Sequence, residues 1–366
     1  MPRAEAVQLE IFIAAEEEAA KVTDSLAKHV DKRWPRNGGA AIEEILTTTG
    51  LVDACYLINL AKFGGVLPAW QDVPEVAWIG YEQAWRLKCW SGFGSCSILA
   101  VSAPCLDEKH PDKHGNTLRR VLPVLEAMLE TARGFAGHEH ATVGVMWYFM
   151  CVPRPPVVDQ TEFEFILREY ARCMAHSSVH VLLVTDLPKG GSYRNLRPYS
   201  DRAHCLFDEC LSSLIKGDDC LWDLSRWTSP AFIHISDCEL LTTSLSPSPQ
   251  PDTCLAFRRM DASGVNDLSY AIMHKQMAHH RVPPMSPSDF TTAMQKGRHS
   301  FEGGVTADSL AKVYSEVFAE TFDGTHTLNA LPSSGFAIRG MARARYGRLF
   351  ARPQATCKLI RVEISS

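Results

Sequence analysis

Between residues 97 and 216, continuous apolar runs alternate with segments of helical periodicity, and this alternation constrains the 366-residue chain more tightly than any other feature. The runs are Ile98-Leu99-Ala100-Val101, Thr142 to Val152, and Val179 to Val184. Between them, 116–133 carries Leu118, Val121, Leu122, Leu125, Met128 and Leu129 on one helical face, and 160–175 carries Phe163, Ile166, Leu167, Tyr170 and Met174. A third helix is predicted over 201–216, with Phe207, Cys210, Leu211, Leu214 and Ile215 on its apolar face and Asp201, His204, Asp208 and Ser212 on another. Strands apolar on both sides suit a parallel sheet covered by helices. The predicted fold class is therefore α/β, with a parallel sheet formed by 97–102, 143–151, 179–184 and 231–235 and a further short strand at 219–224. In such sheets ligands gather beyond the carboxyl ends of the strands, where the connecting loops lie, which makes Asp208 a candidate carboxylate.

The flanks read differently. Residues 4–33 carry a broken apolar stripe, 40–62 read as helical, and Trp78 to Trp90 fits a strand or a helix equally. The run Ser244 to Pro251, rich in proline and serine, marks a linker. Beyond it Thr306 can cap a helix striped by Leu310, Val313, Tyr314, Val317 and Phe318. The expected organisation is an N-terminal helical region (1–75), an α/β domain (76–243), a linker (244–255), a C-terminal helical extension (256–322) and a basic tail (323–366).

Hydrophobic content of 46% and charged content of 22% suit a globular chain with a sizeable core, and a net charge of -5 gives no footprint for wholesale nucleic-acid binding. The 12 cysteines include no C-x-x-C pair, and the acidic N-terminus does not read as a signal peptide, so a reduced, cytoplasmic setting is expected. No apolar run approaches the ~20 residues of a membrane helix. Protein partners or self-association are expected, not a membrane; nucleic acid or an acidic partner would have to use the Arg-rich tail. His138-Glu139-His140 and His279-His280 lack an evident third ligand at zinc spacing, so no metal site is expected. Lys189-Gly190-Gly191-Ser192 lacks the phosphate-loop pattern and reads as a turn.

Several short motifs recur in a set order: Val101-Ser102, His110-Pro111-Asp112, Pro153, Tyr199, Arg202 with Cys205, and Leu221-Trp222-Asp223-Leu224-Ser225. Ser286 to Phe290, with Phe301, Gly304 and Tyr314, follow. Together, over roughly residues 78 to 320, they resemble a TIR-like family (the Toll/interleukin-1 receptor fold and its relatives). That resemblance implies a TIR/flavodoxin-like sheet. In active members, a glutamate on the helix corresponding to 201–216 cleaves the nicotinamide–ribose bond of NAD. Here that motif reads Arg202-Ala203-His204-Cys205-Leu206-Phe207-Asp208, so the glutamate is replaced by Asp208 and a tryptophan by His204. The family's polar strand-end positions are occupied by Ala103-Pro104-Cys105 and Phe149, and its glutamine by Arg154.

Two readings follow. In the enzymatic one, Asp208 and His204 are the catalytic pair, with Ser102, Arg202 and Cys205 on the substrate side; NAD is then a substrate, and no cofactor is implied. Asp is one methylene shorter than Glu, a misplacement that can cost about 10²-fold in rate. In the other, Asp208 lies on a solvated helix face near the N-terminus, and the chain is a signalling or scaffold protein acting by protein–protein interaction. The losses at Ala103, Pro104 and Phe149 favour the second and predict a shallow, apolar cleft with millimolar or weaker NAD affinity.

Overall fold

The computed structural model describes residues 34–35, 37–88, 96–107, 110–133, 140–154, 156–188, 192–216, 220–227, 273–279, 281–297, 299–301 and 305–322. Six strands form one sheet: β1 (Leu51–Asp53), β2 (Trp78–Ile79), β3 (Ile98–Ser102), β4 (Gly144–Trp147), β5 (His180–Leu183) and β6 (Leu221–Asp223), in the order β2-β1-β4-β3-β5-β6. The pairs β3–β4, β3–β5 and β5–β6 are parallel, whereas β1 runs antiparallel to both β2 and β4. The expectation of a wholly parallel sheet is thus corrected to a mixed one.

The difference lies in residues read as continuous helix. Leu51, Val52 and Asp53 are buried and extend along β4, and Asp53 then turns the chain into the next helix. Its carboxylate accepts from the Cys55 backbone N–H at 2.7 Å and pairs with Arg86 at 2.9 Å. The sheet therefore begins inside the stretch assigned to an N-terminal helical region. A second correction concerns 143–151. The strand stops at Trp147, and Tyr148–Cys151 forms one helical turn, closed by the Val152 N–H bonding back to Tyr148 O at 3.0 Å. The predicted strand at 231–235, the linker, the tail and the 4–33 stripe lie outside the described residues.

Helices α1 (Gly39–Leu46), α2 (Ala54–Lys62), α3 (Asn116–Arg133), α4 (Gln160–Ala175), α5 (Ala203–Ser212), α6 (Pro287–Lys296) and α7 (Ala307–Phe322) flank the sheet in two groups. Helices α2 and α3 pack together, while α4 packs with α1, α5 and α7, and α7 with α6. The chain leaves β3 toward β4 through α3 but returns across β3 to β5 through α4, so the crossovers run in opposite directions. With one handedness, opposite directions require opposite faces. The change of direction between β3 and β5 is a topological switch point, where open α/β sheets hold their ligands.

Caps account for several helix starts. Asp159 accepts from Glu162 N–H at 2.9 Å, Ser286 from Asp289 N–H at 3.1 Å ahead of Pro287, and Thr306, as its position predicts, from Ser309 N–H at 3.1 Å. Helices α6 and α7 belong to the same packed body: Phe290 and Tyr314 stack at 4.2 Å, and Phe290 lies 6.1 Å from Phe207 of α5. Arg172 of α4 pairs with Glu169, with Glu320 of α7 and with Glu44 of α1, at 2.7, 2.9 and 2.8 Å. No helix among the described residues is long and apolar enough to cross a membrane.

Candidate functional site

Beyond the carboxyl ends of β3 and β4, a cleft is lined by Val101, Ala103, Cys105, Pro111, Trp147, Tyr148, Phe149, Arg154, Arg202, His204 and Cys205. The helical turn after β4 folds Tyr148 and Phe149 across the strand ends instead of extending them along the sheet. The Arg154 guanidinium lies over both rings, 4.8 Å from the Phe149 centroid and 5.8 Å from that of Tyr148. The His204 ring sits 4.2 Å from Tyr148 and stacks on Tyr170 at 5.9 Å. The enclosed volume is about 30 Å³, on the order of two water molecules.

The loop after β3 is held by the motif read as His110-Pro111-Asp112. His110 Nε2 contacts Leu67 O at 2.8 Å, and its ring meets Phe149 edge-on at 5.0 Å. The buried Asp112 carboxylate accepts from the backbone N–H groups of Asn116, Thr117 and Leu118 at 2.9, 2.6 and 3.1 Å, capping α3, and from the Tyr193 hydroxyl at 2.8 Å. Gly115 precedes α3 at φ +65°, where a Cβ would also lie 2.7 Å from Gly65 O. The Leu221 to Ser225 motif is structural in the same way: Asp223 accepts from Ser225 N–H at 3.0 Å and from Thr185 Oγ1 at 2.7 Å.

Behind the cleft wall lies Asp208, with 0% of its surface exposed. Helix α5 begins at Ala203, so Asp208 belongs to its second turn and not to the first. The expectation of a solvated face is overturned, because that side of α5 packs on α4 and β3. Tyr170 of α4 donates its hydroxyl to Asp208 Oδ1 at 3.0 Å, and His204 Nε2 lies 3.3 Å from Oδ2. Burial pushes the Asp208 carboxyl up to about 8, against the pull of hydrogen bonds from Ser102 and Tyr170. Burial, with Arg154 nearby, pushes His204 down to about 3. Burial thus acts on both partners in the direction of their neutral forms, against an ion pair.

Ser102, His204 and Asp208 are thus brought together with Arg202 and Cys205, but they are not equally accessible. Ser102 is fully buried, and its hydroxyl lies 2.7 Å from that of Tyr199. Arg202, 1% exposed, donates to Arg197 O at 3.1 Å, to Asn195 O at 2.9 Å and to Cys105 O at 2.5 Å, tying the chain before α5 to the loop after β3. Cys205 lines the wall at 1% exposure. Sequence reasoning missed Tyr148 and Tyr170, which read as a strand residue and a helix-stripe residue. It noted Arg154 only as a replacement; an arginine one residue after a proline that ends an aromatic run was the available signal.

His140 contributes its carbonyl to Arg86 at 3.4 Å, and His279 Nδ1 lies 4.0 Å from Asp223 Oδ2. Residues 138, 139, 189–191 and 280 are outside the described set. Among the described residues, no group of three or more His, Cys, Asp or Glu side chains is gathered to hold a metal ion. No protein-family model, no curated protein and no solved structure matches this chain.

Proposed function

We propose that this chain is a signalling or scaffold module, built on a degenerate TIR-like α/β domain and acting by protein–protein contact. The observation that carries the reading is the seal over Asp208. The one carboxyl with the implied helix position has 0% exposure and takes the Tyr170 hydroxyl. It lies behind His204, and the cleft in front offers about 30 Å³. Sites for drug-sized molecules ordinarily offer roughly 300–1,000 Å³. His204, 3.3 Å from Asp208 Oδ2 and 4.2 Å from the Tyr148 ring, stands between the carboxyl and the cleft. Exposed apolar side chains include Val157, whose N–H bonds to the wall residue Arg154, and Leu196, next to the Asn195 that binds Arg202. An arginine and aromatic rings within an apolar surround are the composition of protein interfaces.

The raised carboxyl of Asp208 favours a second reading, a weak NAD glycohydrolase, because a general acid carries that property. Incubating the purified chain with millimolar NAD and measuring nicotinamide separates the two. The module reading expects release no faster than in buffer. Release that disappears in Asp208→Ala would replace it with the hydrolase reading.

A further inference from the structure

We infer that the cleft beside Arg154 is the docking point for a side-chain carboxylate of a protein partner; the inference rests on the reading of the chain as an interaction module. Arg154 is half-buried and held on two aromatic faces, so its fork is oriented before any partner arrives. Ring contacts with Tyr148 and Phe149 are its direct contacts among the described residues, and no carboxylate there pairs with it. Asp208 lies behind the wall, its carboxyl bonded to Tyr170 at 3.0 Å and 3.3 Å from His204 Nε2, not to Arg154. Among the described residues, the Arg154 charge in this cleft has no paired carboxylate, and its surround is largely apolar.

Three features select the class of ligand. A planar guanidinium pairs with a carboxylate through two parallel hydrogen bonds. The cleft's small volume, about 30 Å³, suits a group of that size. The His204 ring lines the same cleft, and its Nδ1 is buried without a hydrogen-bond partner among the described residues. The apolar Val157, 50% exposed and bonded through its N–H to Arg154 O at 2.8 Å, offers a partner a contact that a free anion cannot use. Charge complementarity thus points to an aspartate or glutamate carried on a polypeptide.

The full chain is titrated at constant ionic strength with sodium acetate, with the blocked peptide acetyl-Ala-Glu-Ala-amide and with its Gln counterpart, and amide and indole NMR signals are followed. Acetate and the Glu peptide are expected to shift Trp147, Tyr148, Phe149 and His204 saturably, whereas chloride and the Gln peptide do not. Arg154→Gln is expected to weaken both by at least tenfold, and Arg154→Lys, which keeps the charge but not the fork, by several-fold. If Arg154→Gln does not fold, Arg154→Lys alone decides. Equal responses to the Glu and Gln peptides, or binding unchanged in the folded Arg154 variants, would overturn the inference. Saturation by acetate with an inert Glu peptide would also overturn it, leaving a free-anion site. Nicotinamide release reports separately on the module reading, so the two can fail independently.

Discussion

The Tyr170 hydroxyl donates to Asp208 Oδ1 across 3.0 Å of protein interior, joining the helix after β4 to the helix after β5 beneath the strand ends. A carboxyl in that position stabilises the fold best when it keeps its proton. Burial raises Asp208 to about 8, so the folded state binds a proton that the unfolded chain has lost. Its stabilising contribution is complete at low pH and declines as pH rises toward and through about 8. His204, lowered to about 3, acts with the opposite sign, but only below the ordinary histidine range, as does His176 at about 4. Above about pH 6.5 the Asp208 slope is left without theirs. Wild-type stability measured by urea unfolding is expected to fall between pH 6.5 and 8, while Asp208→Asn flattens that slope. Parallel curves for the two proteins would show that Asp208 is ionised in the fold.

Removing Arg172 leaves Glu169 and Glu320 buried without their shared cation. Arg172→Ala is expected to destabilise by about 3–5 kcal/mol. Burial already pushes Glu169 upward against the pull of Arg172, so part of this loss should be recovered as pH falls and Glu169 protonates. Chemical denaturation at two pH values checks both the size and the direction.

Asp112 collects three backbone N–H groups at the start of α3, so Asp112→Ala should cost about 2 kcal/mol. The loop it anchors carries Pro111 in the cleft wall. Hydrogen exchange in the variant is expected to rise first in residues 112–118. Unchanged protection there would show that the cap does not hold the helix start.

The parallel strands were legible because β3 and β5 are buried along their whole length, leaving apolar runs interrupted only by the buried His180 and ended by Ser102. β1 was not, since three apolar-to-acidic residues between two helices carry no period of their own. β4 was read too long for a related reason. Tyr148 and Phe149 continue its apolar run, yet they serve the cleft and not the sheet. Asp208 was misplaced because helical spacing separates polar from apolar faces, and a polar face normally meets water. Here that face meets Tyr170, Tyr148 and Ser102, polar partners contributed by distant segments. No local pattern reports such a network.

Calorimetric titration of the full chain with NAD tests the sealed site most directly. A cleft of about 30 Å³ in front of a fully buried Asp208 predicts no binding tighter than millimolar, corresponding to roughly -4 kcal/mol at best. Asp208→Ala should leave that weak signal unchanged. Micromolar affinity lost in Asp208→Ala would contradict the account, because it would mean that the cleft opens and that a dinucleotide reaches the carboxyl.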